Sequence, residues 1–393
     1  MVRSLRITPV NATARLYADH NAGAPLLPAA RVAMRVWLDE ALAGNASSVH
    51  AEGRRARAAV SQARLAVARA IGVSDRLAER AIIFCSGATE ANALALGSAR
   101  GRIVTSAAEH PSILGPSGAA GATIVPVLAN GQLDLEALAA ALPGAALCSL
   151  HLANNETGVL QDARALASLC KDNAVLLHFD AAQAFGRLAL DVEALGADYL
   201  TLSSHKIGGP TGAGALYARP GSAAPGSCVA AAPVVPLYGG GHQERGRRPG
   251  TENVLGLVGF GAAVRQIPER LDAMAALAAR RDHLWDRLSR LGAARVGQGP
   301  WLPNTLTVAF EDLEGESLVM ALDLEGVAAS TGSACTSGSV EPSHVLLAMG
   351  YDDDAARRVV RFSFGPETTG DEFDRCALAV ATVVERARRE RVT

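Results

Sequence analysis

The chain has 393 residues, 49% of them hydrophobic and 19% charged, and a formal net charge of −2. This length corresponds to about two to three domains and allows a substantial core, and the composition is typical of a soluble globular protein. The near-neutral charge gives no general attraction to nucleic acid or to an anionic membrane, so neither is expected as a partner.

Targeting and metal-binding signals are also missing from the sequence. The N-terminal residues contain no long apolar core, which argues against a secretory signal. The longest uncharged stretch, residues 220–243, is rich in proline and glycine and is typical of a loop. The six cysteines are scattered without a CxxC pair, which argues against a disulfide framework or a zinc site. A cytoplasmic protein without a resident metal is therefore expected.

The first two-thirds of the chain alternate between short apolar runs and amphipathic segments. This alternation predicts an α/β fold, in which helices cover both faces of a mostly parallel seven-stranded sheet and site residues collect at the carboxyl ends of the strands. The predicted strands are 81–85, 102–106, 123–127, 145–150, 174–179, 199–203 and 214–217. The predicted helices between them are 54–71, 89–99, 134–142 and 163–171.

The pattern changes near residue 258, where a long helix over 262–291 is predicted to lead into a smaller α+β domain. We predict a large domain over 17–258 and a small domain formed by 1–16 and 259–393. The elements predicted for the small domain are strands 304–310, 327–330 and 359–364 and helices 316–325, 343–349 and 371–388.

An aspartate and a lysine follow two of the predicted strands. Asp180 ends the apolar run 175–179, and Lys206 follows the strand 199–203 in SSHKIGGP. An aldehyde cofactor with a pyridine ring needs this pair, because the lysine forms the Schiff base and the aspartate keeps the ring nitrogen protonated. The combination predicts pyridoxal 5′-phosphate (PLP), with Gln183 donating to the ring's phenolic oxygen. The alternative is that Asp180 only caps a helix.

Three polar segments at other strand ends extend this prediction. Residues 85–92, CSGATEAN, lie at a strand-to-helix junction, where free amides and a threonine hydroxyl form a phosphate cradle. His110 follows the strand 102–106 and is placed to stack on the ring and move protons near neutral pH. Asn155, in ANNETG, is placed to contact the cofactor oxygen and a substrate carboxylate. Taken singly, these features also fit an ordinary helix start, a structural histidine and a turn.

The remaining candidate residues lie further along the chain. Cys335 sits among small residues in STGSACTSGS, which predicts a mobile loop with an accessible nucleophile, or else a surface cysteine without a role. Arg361 lies in an apolar strand, which predicts a bidentate clamp for an amino-acid α-carboxylate, or else an internal salt bridge. Residues 239–253, which include Thr251, suit a loop over a phosphate, including one on a neighbouring subunit. The alternatives are a solvated basic loop and a nucleic-acid patch, and the net charge does not support the patch.

Taken together, these segments resemble the cysteine desulfurases of the class-V aminotransferase family, in the nitrogen-fixation and iron–sulfur-assembly branch. The resemblance runs from residue 17 to about 365, and the cysteine segment discriminates best, because relatives that act as plain aminotransferases lack it. The matching segments include SGATEAN, EHPSIL, ANNETGV, HFDAAQAFGR, SSHKIGGPTGAGALY, GGGHQERGRRPGTEN, STGSACTSGSVEPSHVLLAMG and RFSFG.

The resemblance implies a PLP-dependent transferase of fold type I that converts L-cysteine to L-alanine and leaves a persulfide on Cys335. It implies that Lys206 carries the cofactor and moves the Cα proton, and that His110 assists proton transfer. Asp180 would pair with the pyridinium, and Gln183 and Asn155 would contact the ring oxygen.

The resemblance also implies how phosphate, substrate and sulfur are held. Asn155 and Arg361 would bind the substrate carboxylate, and Cys335 would hold the sulfur and transiently ligate an iron–sulfur cluster. The implied partners are a second copy of the chain and a sulfur-acceptor or iron–sulfur scaffold protein. The implied phosphate contacts are Ala88, Thr89, Ser203 and His205, with Thr251 donated across a dimer interface.

One segment departs from the family pattern, and two other functions stay open. Residues 21–24, Asn-Ala-Gly-Ala, replace the usual Asn-Ala-Thr-Thr, so hydroxyl contacts are not carried over there. A related PLP lyase or aminotransferase, such as a selenocysteine lyase, would differ in its products from L-cysteine. A non-catalytic scaffold that kept the fold would purify as a colourless protein.

Overall fold

The computed structural model describes residues 15–39, 44–221, 230–331 and 342–390. The strands, in chain order, are β1 (Leu16–Tyr17), β2 (Ile82–Cys85), β3 (Ile103–Ser106), β4 (Thr123–Val125), β5 (Leu147–His151), β6 (Leu176–Asp180), β7 (Tyr199–Ser203), β8 (Gly214–Ala218), β9 (Ala293–Arg295), β10 (Thr305–Phe310), β11 (Val327–Ala328) and β12 (Val359–Ser363).

The helices, in chain order, are α1 (Pro28–Asp39), α2 (Ala51–Ala70), α3 (Ala78–Ala81), α4 (Ala88–Gly97), α5 (Pro111–Ala119), α6 (Leu135–Ala141), α7 (Ala163–Asp172), α8 (Val254–Val264), α9 (Ile267–Ser289), α10 (Gly315–Leu324), α11 (His344–Ala348), α12 (Asp353–Arg357) and α13 (Gly370–Glu390). The structure contains the predicted helices together with α1, α3, α5 and α12, which were not predicted.

Seven strands form the central sheet in the order β2-β8-β7-β6-β5-β3-β4. The neighbours from β7 through β6, β5 and β3 to β4 pair in parallel, and β8 runs antiparallel to both β7 and β2. The prediction of a mostly parallel seven-stranded sheet is confirmed. Strands β5 to β8 are almost wholly buried, as expected for a sheet that helices cover on both faces. The carboxyl ends of β2, β3, β5, β6 and β7 therefore meet at one edge.

A second, smaller sheet lies in the C-terminal part, with strand order β12-β10-β9 and antiparallel pairing throughout. Its apolar residues pack with α9, α10 and α13 into a core of their own, around Leu306, Phe362 and Phe373. Leu16, on β1, joins this core, because β1 pairs in parallel with β11. The division into domains at residues 16 and 258 remains a prediction.

The long helix predicted over 262–291 is present as α9, but residues 262–264 belong to the preceding helix α8, with Arg265 and Gln266 between the two. Pro268 has no amide hydrogen to donate and is tolerated only in the first turn of a helix, so a new helix begins at Ile267. Within the described ranges, no helix has the length and apolar character needed to span a membrane.

Candidate active site

A cavity of about 800 Å³ opens at the carboxyl edge of the central sheet. Its walls come from segments that follow different strands, and from β12 of the small sheet. The predicted site residues that line it are Ala88, Thr89, His110, Asn155, Asp180, Gln183, His205, Lys206 and Arg361. The fold therefore brings most of the predicted site into one place.

Lys206 reaches into this cavity from the turn after β7. Its Nζ donates to the carbonyl of Asn21 at 2.5 Å and to that of Ala22 at 2.9 Å. Burial, followed by the cations Arg187 and Arg361, lowers the pKa of Lys206 to about 7. A large fraction of Lys206 is therefore an uncharged nucleophilic amine near neutral pH.

Asp180 ends β6 and is 8% exposed. Its Oδ1 accepts from the amide of Ala182 at 2.9 Å, and its Oδ2 accepts from Asn92 Nδ2 at 2.7 Å. Asn92 Nδ2 also donates to Ser112 Oγ at 2.9 Å, and that hydroxyl contacts His110 Nδ1 at 2.8 Å. One buried amide thus holds both Asp180 and the segment that carries His110.

His110 is the N-cap of α5, a helix that the sequence analysis did not predict. Its Nδ1 accepts from the amide of Ser112 at 3.1 Å, so a neutral His110 carries its proton on Nε2. Burial lowers the pKa of His110, while Asp180 opposes that shift. The hydrogen bond from the Ser112 amide therefore fixes the orientation of the His110 ring in the cavity wall.

The start of α4 forms part of the cavity wall. Gly87 is its N-cap residue and no side chain caps it, so within the described residues the first amides of the helix are available to an anion. A Cβ atom built on Gly87 would meet nothing within 4 Å. His205 faces the same cavity, and its Nδ1 contacts Ser203 Oγ at 3.1 Å. Ser203 itself is buried and does not line the cavity, so it supports His205.

Arg361 projects from β12 and is 3% exposed. Its Nη2 pairs with Asp19 at 2.6 Å, and its Nη1 donates to the carbonyl of Asn155 at 2.9 Å. The internal salt bridge weighed as an alternative is thus present. Its buried Nε has no hydrogen-bond partner in the described part of the chain, so donor capacity remains beside the cavity.

Thr251 lies in an exposed loop and does not line the cavity of its own chain. The loop is fixed by Glu244, which makes two 2.7 Å bonds to the buried Arg64, and by Arg248, which pairs with Glu90 at 2.8 Å. Arg247 also donates to the carbonyls of Arg80 and Glu79, so two of the three arginines in the cluster are held by the fold. The assignment of Thr251 to a neighbouring subunit stays a prediction.

Cys335 lies outside the described residues, but both flanks of its segment are described. Ser330 on one side and Pro342 on the other line the cavity. Ser343 is held by a hydrogen bond from its hydroxyl to the buried carboxylate of Glu156. Burial raises the pKa of Glu156. The segment that contains Cys335 therefore starts and ends at this cavity.

The sequence analysis missed several residues of the cavity wall. His151, the last residue of β5, contacts Glu109 Oε1 through Nδ1 at 2.8 Å, and Glu109 raises the pKa of His151 against the effect of burial. The carbonyl of Glu109 contacts His344 Nε2 at 2.8 Å. The signal for His151 was its place at the end of a predicted strand. Asn92 is fully buried outside the cavity lining and holds Asp180, and it gave no such signal, because a helical asparagine is ordinarily exposed.

No group of three or more His, Cys, Asp or Glu side chains is placed to hold a metal ion in the ranges that the structure covers. The four described cysteines, at positions 85, 148, 170 and 376, are free and buried. Burial raises the pKa of Cys85 and raises that of Cys376 to about 12, so neither thiol forms a thiolate near neutral pH.

Comparison with known proteins identifies the family. The class-V aminotransferase family matches residues 16–376. A cysteine desulfurase of Cereibacter sphaeroides is 41% identical over 95% of this chain and 97% of its own length. The chain belongs to the cysteine desulfurase branch of the class-V aminotransferase family. A relative from Dictyoglomus turgidum, named cysteine desulfurase IscS, is 36% identical over 95% of each chain.

Solved structures agree with this assignment. A NifS-like protein from Rickettsia africae superposes with a TM-score of 0.83 at 30% identity, over 94% of this chain and 99% of that one. A structure titled SspA in complex with cysteine gives a TM-score of 0.76 at 30% identity, over 90% of this chain and 100% of that one. Class-V aminotransferases and cysteine desulfurases are in general PLP-dependent enzymes of fold type I.

Proposed function

We propose that this chain is a cysteine desulfurase that binds PLP, takes sulfur from L-cysteine and carries it as a persulfide on Cys335. The observation that carries this proposal is the convergence of Lys206, Asp180, His110 and Arg361 on one cavity, at which the segment of Cys335 also begins and ends. A plain aminotransferase would need the same lysine and aspartate but would not need a cysteine segment at the cavity.

The donor set of the cavity fits PLP. The uncapped start of α4, with Ala88 and Thr89, supplies amides for a phosphate, and His205 lies on the same wall. Lys206 supplies an uncharged amine for an aldehyde, and Asp180 supplies a carboxylate for a pyridine nitrogen. When bound, the cofactor supplies a protonated ring that draws electrons from the substrate Cα, and Asp180 keeps that ring protonated.

The side chains then divide the work on L-cysteine. Arg361 and Asn155 hold the α-carboxylate, since a guanidinium matches a carboxylate in two-pronged geometry. The Lys206 amine accepts the Cα proton, and the neutral Nε2–H of His110 is available for proton transfer at the substrate. Gln183 Nε2 donates one hydrogen to the carbonyl of Asn21 at 3.0 Å, which leaves its second hydrogen for the ring oxygen.

The sulfur step conserves atoms and electrons between the two thiols and the carbon. The substrate Cβ–S bond breaks, an S–S bond to Cys335 Sγ forms, and the carbon that lost sulfur ends with an added hydrogen in L-alanine. The added hydrogen comes from the Cys335 thiol, and the hydrogen of the substrate thiol stays on the outer sulfur of the persulfide. No external oxidant is needed, and covalent capture prevents the escape of free sulfide.

The proposal also covers the oligomeric state, the sulfur acceptor and the location of the protein. A homodimer gives Thr251 a site in the partner chain, and its exposed position on a rigidly anchored loop supports that role. The receiver of the sulfur is an acceptor or iron–sulfur scaffold protein, as expected of the family, and the location is the cytoplasm. The buried, unpaired state of the four described cysteines supports a reducing compartment.

The test of this function is the product balance from L-cysteine. We expect equimolar L-alanine and sulfide in the presence of dithiothreitol, and one added sulfur on the Cys335 peptide by mass spectrometry without it. Formation of a keto acid would indicate an aminotransferase, and turnover confined to L-selenocysteine would indicate a selenocysteine lyase. A colourless protein with no turnover after incubation with PLP would contradict the proposal.

Replacing Arg361 separates the carboxylate clamp from the internal salt bridge. Arg361→Lys keeps the charge but loses the two-pronged geometry, so we expect the KM for L-cysteine to rise roughly tenfold to hundredfold with a smaller change in kcat. Asp19→Asn is the matched control, because it removes the salt-bridge partner and leaves the guanidinium; we expect a rise below about threefold. Equal effects of the two variants would show that Arg361 serves the salt bridge alone.

A further inference from the structure

Arg187 is a buried cation with no carboxylate partner among the described residues. It is 4% exposed, and it donates through Nη1 to the carbonyl of Gln183 at 2.6 Å and to Gln183 Oε1, and through Nη2 to the carbonyl of His20 at 3.0 Å. A buried charge that only neutral groups contact is costly to the fold. A functional role would account for the presence of this costly buried charge.

The backbone turn that carries Arg187 packs closely against the residue that follows Lys206. Gly186 has a φ of 74°, and a Cβ atom there would lie 2.7 Å from Ile207 Cγ2. Glycine therefore lets the turn after β6 pass directly beneath the residue that follows Lys206. Arg187 and Lys206 line the same internal cavity of about 20 Å³.

One short segment connects the two side chains. The carbonyl of His20 accepts from Arg187, the carbonyl of Asn21 accepts from both Gln183 and Lys206, and the carbonyl of Ala22 accepts from Lys206. These contacts use the main chain, so they survive the departure from the family pattern at residues 21–24. The side chains of Arg187 and Lys206 thus donate to neighbouring backbone carbonyls of the segment 20–22.

Neither carboxylate near the Lys206 amine forms an ion pair with Arg187. Asp19 is paired with Arg361, and Asp180 is reserved for the ring nitrogen in the proposed function. Burial lowers the pKa of His20 and that of His205 to about 4, and it lowers that of His110, so all three are largely uncharged at neutral pH. The charged and titratable groups facing Lys206 are Asp19, His20, His110, Asp180, Arg187, His205 and Arg361.

Arg187 is therefore the one cation of this set without a neutralising partner in the described residues. Burial and the nearby Arg361 lower its pKa to about 9, so it remains protonated at pH 7. Burial has the largest effect on the pKa of Lys206, and Arg187 has the next largest. The geometry and the charge balance point to the same residue.

We propose that Arg187 is a positioning residue that keeps the Lys206 amine uncharged, by placing an unneutralised buried cation behind it, and that fixes the Gln183 amide. This inference rests on the proposed function, in which Lys206 must attack an aldehyde. It adds an electrostatic role for a residue that would contact neither cofactor nor substrate. This electrostatic role explains why the protein keeps a buried charge that destabilises the fold.

The test measures the titration of Lys206 in the cofactor-free protein, by competitive acetylation and peptide mass spectrometry. The sequence contains lysine only at positions 171 and 206, and the exposed Lys171 is an internal reference. For Arg187→Met we expect the midpoint of Lys206 labelling to rise by about one pH unit or more, which lowers labelling at pH 7 about fivefold. Arg187→Lys retains the charge and should keep the wild-type midpoint.

Two further variants separate electrostatics from damage to the fold. Arg281→Met removes an arginine that is also buried, 6% exposed, but lies on α9 and pairs with Asp282, and it should leave the Lys206 midpoint unchanged. Arg187→Gln removes the charge but keeps an amide donor for the carbonyls of Gln183 and His20, and it should raise the midpoint as Arg187→Met does. If Arg187→Met fails to fold, the Arg187→Gln result decides.

An unchanged Lys206 midpoint in natively folded Arg187→Met or Arg187→Gln would overturn the proposal. The outcome does not depend on turnover. If the wild-type chain failed to release alanine from L-cysteine, the proposed function would fall, but a shifted Lys206 midpoint would still establish the effect of Arg187.

Discussion

Lys206→Ala reduces alanine formation from L-cysteine by roughly a thousandfold or more, because it removes both the amine that holds the cofactor and the group that takes the Cα proton. Within the described residues, no second amine lies in the cavity to replace it. The measurement is alanine release at saturating PLP, by amino-acid analysis, together with the visible absorbance of the purified protein.

Lys171→Ala is the matched control for this variant. Lys171 lies in the last turn of α7 and is exposed, away from the cavity. It is the other lysine of the sequence, so alanine formation at the wild-type rate in this variant ties the loss to position 206. A Lys206→Ala protein that kept a tenth of the wild-type rate would remove this residue from the proposed mechanism.

Cys335→Ser leaves the cofactor in place but stops the sulfur step. We expect persulfide on the chain to vanish and sulfur transfer to dithiothreitol to fall at least about a hundredfold, because a hydroxyl does not replace a thiolate as the sulfur nucleophile. The visible absorbance should stay at the wild-type level, since the cavity residues that fit the cofactor come from other segments. Mass spectrometry of the Cys335 peptide gives the first readout, and sulfide release gives the second.

Cys228→Ser is the control, since the four described cysteines are buried and their replacement would disturb the core. Cys228 and Cys335 are the two cysteines outside the described ranges. We expect Cys228→Ser to retain full transfer. Sulfur transfer by Cys335→Ser equal to that of the wild type would refute a relay through this residue.

The amino-acid pattern alone is sufficient to predict the central sheet. Buried parallel strands are short, continuous apolar runs, and all seven predicted strands agree with the structure to within about two residues. Since the carboxyl ends of neighbouring parallel strands meet at one edge, polar residues that follow separate strands are expected to converge. Strand direction therefore accounts for the meeting of His110, Asn155, Asp180 and Lys206 in one cavity.

The apolar pattern predicts the helix boundaries less well than the strands. The helix predicted over 262–291 runs across the break between α8 and α9, because an apolar pattern carries no information on a short break between two helices. The pattern of α5 is hidden because Pro116 and two glycines interrupt it, although His110 caps the helix well. In both places the local backbone geometry, and not the burial pattern, determines where a helix begins.

The sequence by itself determined the sheet, the edge at which the site forms and the residue types that suit PLP chemistry, because these depend on local hydrophobic pattern and strand direction. Only the tertiary structure decided the partners of those residues. Asn92 reaches Asp180 across 88 positions, Arg361 pairs with Asp19 across 342, and Arg187 shares a strip of backbone with Lys206. Hydrogen bonding and charge interaction depend on distance in space, and a linear pattern does not encode which distant side chains become neighbours.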